Sequence, residues 1–209
     1  MELLAKLSVI TWFLTMLMPS QADAQTDFNA TRDAFQKSYI QEATGEYTGA
    51  INSLKSVYDE KSYEINLRLG WLTYLSGGFT ESKAYYTRAI TLMPYAVEPR
   101  LGFVYPAAAM GNWSEVIGQY EKILEITPNY SIVLHRLGLI YYGRNEFEKA
   151  LKYFEKVVNL FPFDYDGLTM LAWTHFRLNN TREAKVLFQK ALLNTPGGSS
   201  ALEGLQLLK

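Results

Sequence analysis

Leu69, Leu72 and Leu75 fall at the three-residue spacing of a helix face, and Ala84, Tyr86, Ala89 and Ile90 resume a helical apolar pattern after Gly77-Gly78 interrupts it. The same two apolar stretches around a break recur down the chain. The later breaks are Gly111-Asn112, Gly143-Arg144-Asn145 and Asn179-Asn180, all rich in residues that tolerate left-handed turn geometry. Pro94, Pro128, Pro162 and Pro196, spaced 34 residues apart, then close each second stretch. Proline cannot donate to the helix ladder, and it disfavours helix in the residue before it. The pattern therefore predicts helix, tight turn, helix and stop in four repeats, 63–96, 97–130, 131–164 and 165–198. A period of this size signals a stacked array of one supersecondary unit.

Aligned on the prolines, the repeats share more than their ends. Leu69-Gly70, Leu137-Gly138 and Leu171-Ala172 coincide, with Phe103-Val104 as the loosest copy; Ser82, Val116, Ala150 and Ala184 coincide; Tyr86, Tyr120, Phe154 and Phe188 coincide; and so do Ala89, Ile123, Val157 and Ala191. In this the chain resembles the tetratricopeptide repeat family, with Leu137, Gly138, Tyr141, Ala150, Phe154, Val157 and Pro162 as the best copy of its pattern. The resemblance implies an all-α solenoid of helix-turn-helix repeats wound as a right-handed superhelix. A degraded repeat is expected at 31–62, where Gly45-Glu46-Tyr47-Thr48-Gly49-Ala50 echoes Asn145 to Ala150 without a closing proline. Residues 199–209 are expected to form a capping helix, opened by a capping box over Ser200-Ala201-Leu202-Glu203. The span 25–209 then counts as one repeat domain.

The second repeat departs most from the pattern. Val104 and Val116 replace small residues, and Pro106 falls inside the first helix, where a proline costs about 3 kcal/mol or more and bends the axis. A bend is expected between Gly102 and Pro106, at the point where the array widens.

The first 24 residues are of a different composition. Lys6 precedes an apolar run from Leu7 to Met18, and Ala22-Asp23-Ala24 has the small-x-small form of a cleavage site, so residues 1–24 read as a signal peptide cleaved after Ala24. The run is shorter than the roughly 20 residues that span a bilayer, so no stable membrane anchor is expected after cleavage. The chain has no cysteine, which rules out a disulfide framework and a lipid-bearing cysteine. Together these readings point to a soluble periplasmic or secreted bacterial protein. Without Glu2, Lys6 and Asp23 the 20 basic and 21 acidic residues become 19 of each, so the field needed to attract nucleic acid is missing.

No catalytic set is recognisable. His135 and His175 stand 40 residues apart, and there is no phosphate-cradling glycine loop, no paired-histidine metal motif and no nucleophile elbow. No enzyme activity, cofactor or metal is expected. In arrays of the resembled type the first helices line an inner groove, and the corresponding positions here hold Trp71, Tyr105, Leu139 and Trp173, then Tyr74, Ala108, Tyr142 and Phe176, with Arg68 and His135-Arg136 beside them. An aromatic row with arginines suits a partner peptide, its apolar side chains on the rings and its carboxylates or carbonyls on Arg68 and Arg136. The reading is a non-catalytic protein-interaction scaffold of the periplasm or cell envelope. Glycan or cell-wall polysaccharide binding by the same rings is the alternative, and stacking of edge repeats between copies leaves self-association open.

Overall fold

The computed structural model describes residues 21–209, and among them there are eleven helices and no strand. The leader read over residues 1–24 lies outside the described residues except for its last four, which α1 includes. The described residues divide into two compact units, one ending at Val57 and the other Tyr58–Lys209.

The first unit holds α1 (Gln21–Ala43) and α2 (Tyr47–Lys55). They form a hairpin tied by the Ser53 hydroxyl donating to Gln41 Oε1 at 2.8 Å. Ala50, Ile51 and Leu54 on α2 are buried.

The second unit is four hairpins and a closing helix. They are α3 (Tyr63–Leu75) with α4 (Phe79–Leu92), α5 (Glu98–Ala109) with α6 (Trp113–Ile126), α7 (Ser131–Gly143) with α8 (Phe147–Leu160), α9 (Tyr165–Arg177) with α10 (Thr181–Asn194), and then α11 (Ser199–Leu207). In each hairpin one turn residue adopts a positive φ: Gly77 at 84°, Gly111 at 74°, Asn145 at 60° and Asn179 at 63°. Glycine and asparagine are the residues that reach this region at least cost, so the breaks in the apolar pattern are where the chain reverses. Before each proline the backbone leaves helical geometry, with φ from −129° to −134° and ψ from 75° to 87° at Met93, Thr127, Phe161 and Thr195. Two first helices are also capped by side chains, Ser62 accepting from the Ile65 N–H and Asp164 from the Gly167 N–H.

The expected capping box at the end of the chain does not form. The N-cap of α11 is Gly198, with no side-chain cap, and Ser200 lies inside the helix. Its hydroxyl accepts instead from the Trp173 indole at 2.8 Å, so a tertiary contact to α9 has taken the group that a local cap would have used.

The aromatic residue of each second helix organises the packing. A side chain on Gly70 would come within 3.0 Å of the Tyr86 ring, and one on Gly102 would meet it at 2.2 Å, so Tyr86 is seated between two glycine backbones. Phe154 is seated on Gly138 and Phe188 on Gly204 in the same way, at 2.6 and 2.3 Å from the Cβ that glycine lacks. All three rings are at most 2 % exposed. Close approach of backbone to ring maximises dispersion contact and excludes water.

Candidate functional site

Tyr120 has no such seat. Its own repeat offers Val104 where Tyr86 has Gly70, and the next repeat offers Arg136 where Tyr86 has Gly102. Two side chains therefore stand where two backbones would have closed in, and α7 lies less closely on α6 than α5 does on α4. Arg136 Nη1 donates to the Tyr120 hydroxyl at 3.1 Å. That hydrogen bond is the main reason the guanidinium holds its proton above the ordinary arginine range, with Tyr105 adding to it electrostatically. No carboxylate approaches Arg136 within ion-pair distance among the described residues.

A second substitution deepens the opening. In the first and third repeats of this unit an aromatic residue of the first helix packs on the residue that opens the second: Tyr74 on Phe79 with centroids 5.9 Å apart, and Tyr142 on Phe147 at 5.3 Å. In the second repeat the corresponding pair is Ala108 and Trp113. A methyl stands where a ring belongs. The result is a cavity of about 600 Å³ between α5, α6 and α7, walled by Tyr74, Tyr105, Ala108, Trp113, Tyr120 and Leu139, with His135 and Arg136 as its cationic or titratable members.

Three of the large apolar residues on its walls are turned to water, Tyr105 at 40 %, Trp113 at 46 % and Leu139 at 42 % exposure. Tyr105 extends into an aromatic cluster, 5.5 Å from Tyr74 and 6.1 Å from Trp71. His135 Nε2 is buried without a hydrogen-bond partner. Exposed rings, one cation and an unpaired buried nitrogen around a concave space are the chemistry of a binding pocket, since each is stabilised by an occupant.

Comparison with known proteins bears on this architecture. Tetratricopeptide repeat models match residues 131–164 and 165–196. The chain superposes on MamA with a TM-score of 0.69 at 20 % identity, covering 80 % of this chain and 92 % of that one. A tetratricopeptide repeat protein from Parabacteroides merdae gives 0.71 at 19 %, covering 86 % and 72 %. MamA residues 41–end from Desulfovibrio magneticus give 0.66 at 16 %, covering 82 % and 98 %. The fold is a tetratricopeptide solenoid. No curated protein sequence matches the chain. A tetratricopeptide solenoid is characteristically a scaffold for protein–protein interaction, and at these identities the solved structures speak to the fold alone.

Within the solenoid, the residues expected at the groove separate into groups. Tyr74, Tyr105 and Arg136 meet at the cavity, with Trp71 against the first two. Tyr142 packs on Phe147, away from the cavity wall. Trp173 and Phe176 form their own pair at 5.5 Å. Trp173 also packs edge-on to Phe188 at 5.0 Å and donates its indole N–H to Ser200, so its ring closes the end of the core. Arg68 does not present its guanidinium at the surface as expected: it is buried, 8 % exposed, at the packing position that Gly102 and Gly204 occupy in other repeats. Sequence reasoning missed Trp113 and the lack of a glycine seat for Tyr120. Comparing repeats position by position finds both, because Ala108 faces Trp113 where every other repeat of this unit carries an aromatic residue at the position of Ala108.

Proposed function

We propose that this chain is a non-catalytic scaffold that receives an extended peptide of a protein partner along the first helices of its repeats, gripping it hardest at the cavity between α5, α6 and α7. The observation that carries the reading is the gathering of exposed Tyr105, Trp113 and Leu139 around one concave space beside Arg136. Binding energy in protein interfaces concentrates where an aromatic or arginine anchor meets a water-excluding pocket, and rings held by a rigid scaffold lose little entropy on contact. No observation favours the glycan reading of the same rings.

Selection of displayed random dodecapeptides on residues 25–209 is expected to enrich a common motif whose affinity falls at least about tenfold when Tyr105 and Leu139 are both changed to alanine. Enriched peptides that bind the double variant as well as the parent chain would reject the groove.

We place the scaffold in the periplasm or cell envelope, on the charged flank, short apolar run and Ala22-Asp23-Ala24 of its leader. Protein recovered from periplasmic extract should begin at Gln25. Recovery only from the cytosol, beginning at Met1, would reject export.

A further inference from the structure

The cavity opens where the other repeats of this unit carry a ring. In the neighbouring repeats Tyr74 on Phe79 and Tyr142 on Phe147 fill the space between the end of the first helix and the start of the second. The second repeat keeps the receiving half of that pair, Trp113, and replaces the donor with Ala108. Trp113 is consequently 46 % exposed at the cavity wall. A ring entering over Ala108 would find Trp113 on one side and Tyr105 and Leu139 on the others, with edge-to-face or offset geometry available. Its neighbours in the guest chain would lie beside Arg136. That guanidinium donates to the Tyr120 hydroxyl with no carboxylate among the residues of this cavity, while Asp164 and Asp166 line the adjoining opening that Arg136 and His135 also border, so it is the face of Arg136 toward this cavity that is complementary to an anion.

We infer that the cavity between α5, α6 and α7 is a receptor for one aromatic side chain of the partner, inserted where the neighbouring repeats carry their own tyrosine, and that Arg136 selects a segment with a carboxylate next to that residue. This rests on the scaffold reading and names the chemistry its partner must carry.

The probe is N-acetyl-L-phenylalanine, which joins a ring to a carboxylate, compared with N-acetyl-L-phenylalaninamide, which keeps the ring and removes the charge. Binding to residues 25–209 is followed by tryptophan fluorescence and by chemical-shift change at the Trp113 indole. The acid should bind at millimolar concentration or better and the amide several-fold more weakly. Ala108→Phe restores the ring that neighbouring repeats possess, so it should reduce affinity for the acid at least about tenfold while leaving the thermal midpoint unchanged or higher. Arg136→Gln should bring acid and amide to equal affinity. The inference is overturned if the parent chain shows no change at Trp113 up to about 20 mM probe, if Ala108→Phe binds as the parent does, or if acid and amide are never distinguished. Loss of the probe result with the displayed peptides still dependent on Tyr105 would remove the ring receptor alone. Loss of both would remove the groove.

Discussion

Gly102→Ala tests the packing rule that leaves the cavity where it is. A Cβ at this position would lie 2.2 Å from Tyr86 Cε1, 2.4 Å from Cζ and 2.8 Å from the hydroxyl oxygen. Carbon atoms pack comfortably at about 3.5–4.0 Å, so relief requires the ring or α5 to move by more than about 1 Å. The ring has little room to withdraw, because Gly70 on α3 also lies against it, its missing Cβ position 3.0 Å from Cδ1, Cδ2 and Cε1. Overpacking of this kind costs about 1–3 kcal/mol, and an overlap this deep belongs at the upper end. Alanine returns about 1 kcal/mol of helix propensity. The net loss should therefore be about 2 kcal/mol, which for a urea slope of roughly 2 kcal/mol/M lowers the unfolding midpoint by about 1 M. Gly118→Ala on α6 is the control, since nothing lies within 4 Å of its Cβ position, and it should raise the midpoint slightly through propensity alone. The two substitutions are chemically identical and should differ in sign. Far-UV circular dichroism in urea measures both; a Gly102→Ala chain as stable as the parent would refute the claim that Tyr86 is clamped between two glycine backbones.

Trp173→Phe keeps the ring against Phe188 and removes the indole donor to Ser200, so α11 should lose about 1 kcal/mol of protection, read as faster amide exchange confined to that helix. Alkaline pH should weaken the second unit. Burial, reinforced by Tyr105 and Glu98, holds the Tyr86 phenol above its ordinary value, and burial with Glu98 pushes Tyr63 up to about 12. Both are acids whose folded-state pKa is raised, so their contribution is complete below about pH 10 and is lost as pH climbs above it, through about 12 for Tyr63 and further still for Tyr86. The urea midpoint should be flat from pH 7 to 9 and fall above 10, and Tyr86→Phe should make that fall shallower; an unchanged slope in the variant would place the alkaline transition elsewhere.

Much of the architecture could be read before any coordinates because the apolar period, the turn residues and the prolines act locally. Gly77, Gly111, Asn145 and Asn179 reverse the chain by virtue of their own backbone freedom, and Pro94, Pro128, Pro162 and Pro196 stop a helix whatever surrounds them. The residues that were misread depend on partners far away in sequence. Ser200 has the composition of a cap but answers to Trp173, 27 residues earlier. Arg68 occupies a first-helix position that is buried in this repeat and, as Arg136, exposed two repeats later. A position in a repeat pattern does not determine its surroundings, because those are set by the neighbouring repeat as well.

The same dependence explains why the site sits in the least regular repeat. Where every repeat obeys the pattern, ring meets glycine backbone and the interior closes; Tyr86, Phe154 and Phe188 leave nothing for a ligand to do. The second repeat breaks the pattern at Val104, at Ala108 and, through its neighbour, at Arg136. The first and last of these hold two hairpins apart around Tyr120, and the middle one removes the ring that would have filled the gap. Pro106 lies one turn away inside α5 and denies Gly102 its helical donor, so the helix bearing Tyr105 and Ala108 is also the one least bound by its own ladder. Three departures that each cost packing energy converge on one 600 Å³ space. Independent defects would be scattered along the array. Restoring Gly102-like and Tyr74-like residues at Arg136 and Ala108 together should therefore close the gap, gaining stability while removing the binding surface. A double variant that gained neither tighter packing nor lost peptide affinity would mean that the irregular repeat is merely worn rather than shaped.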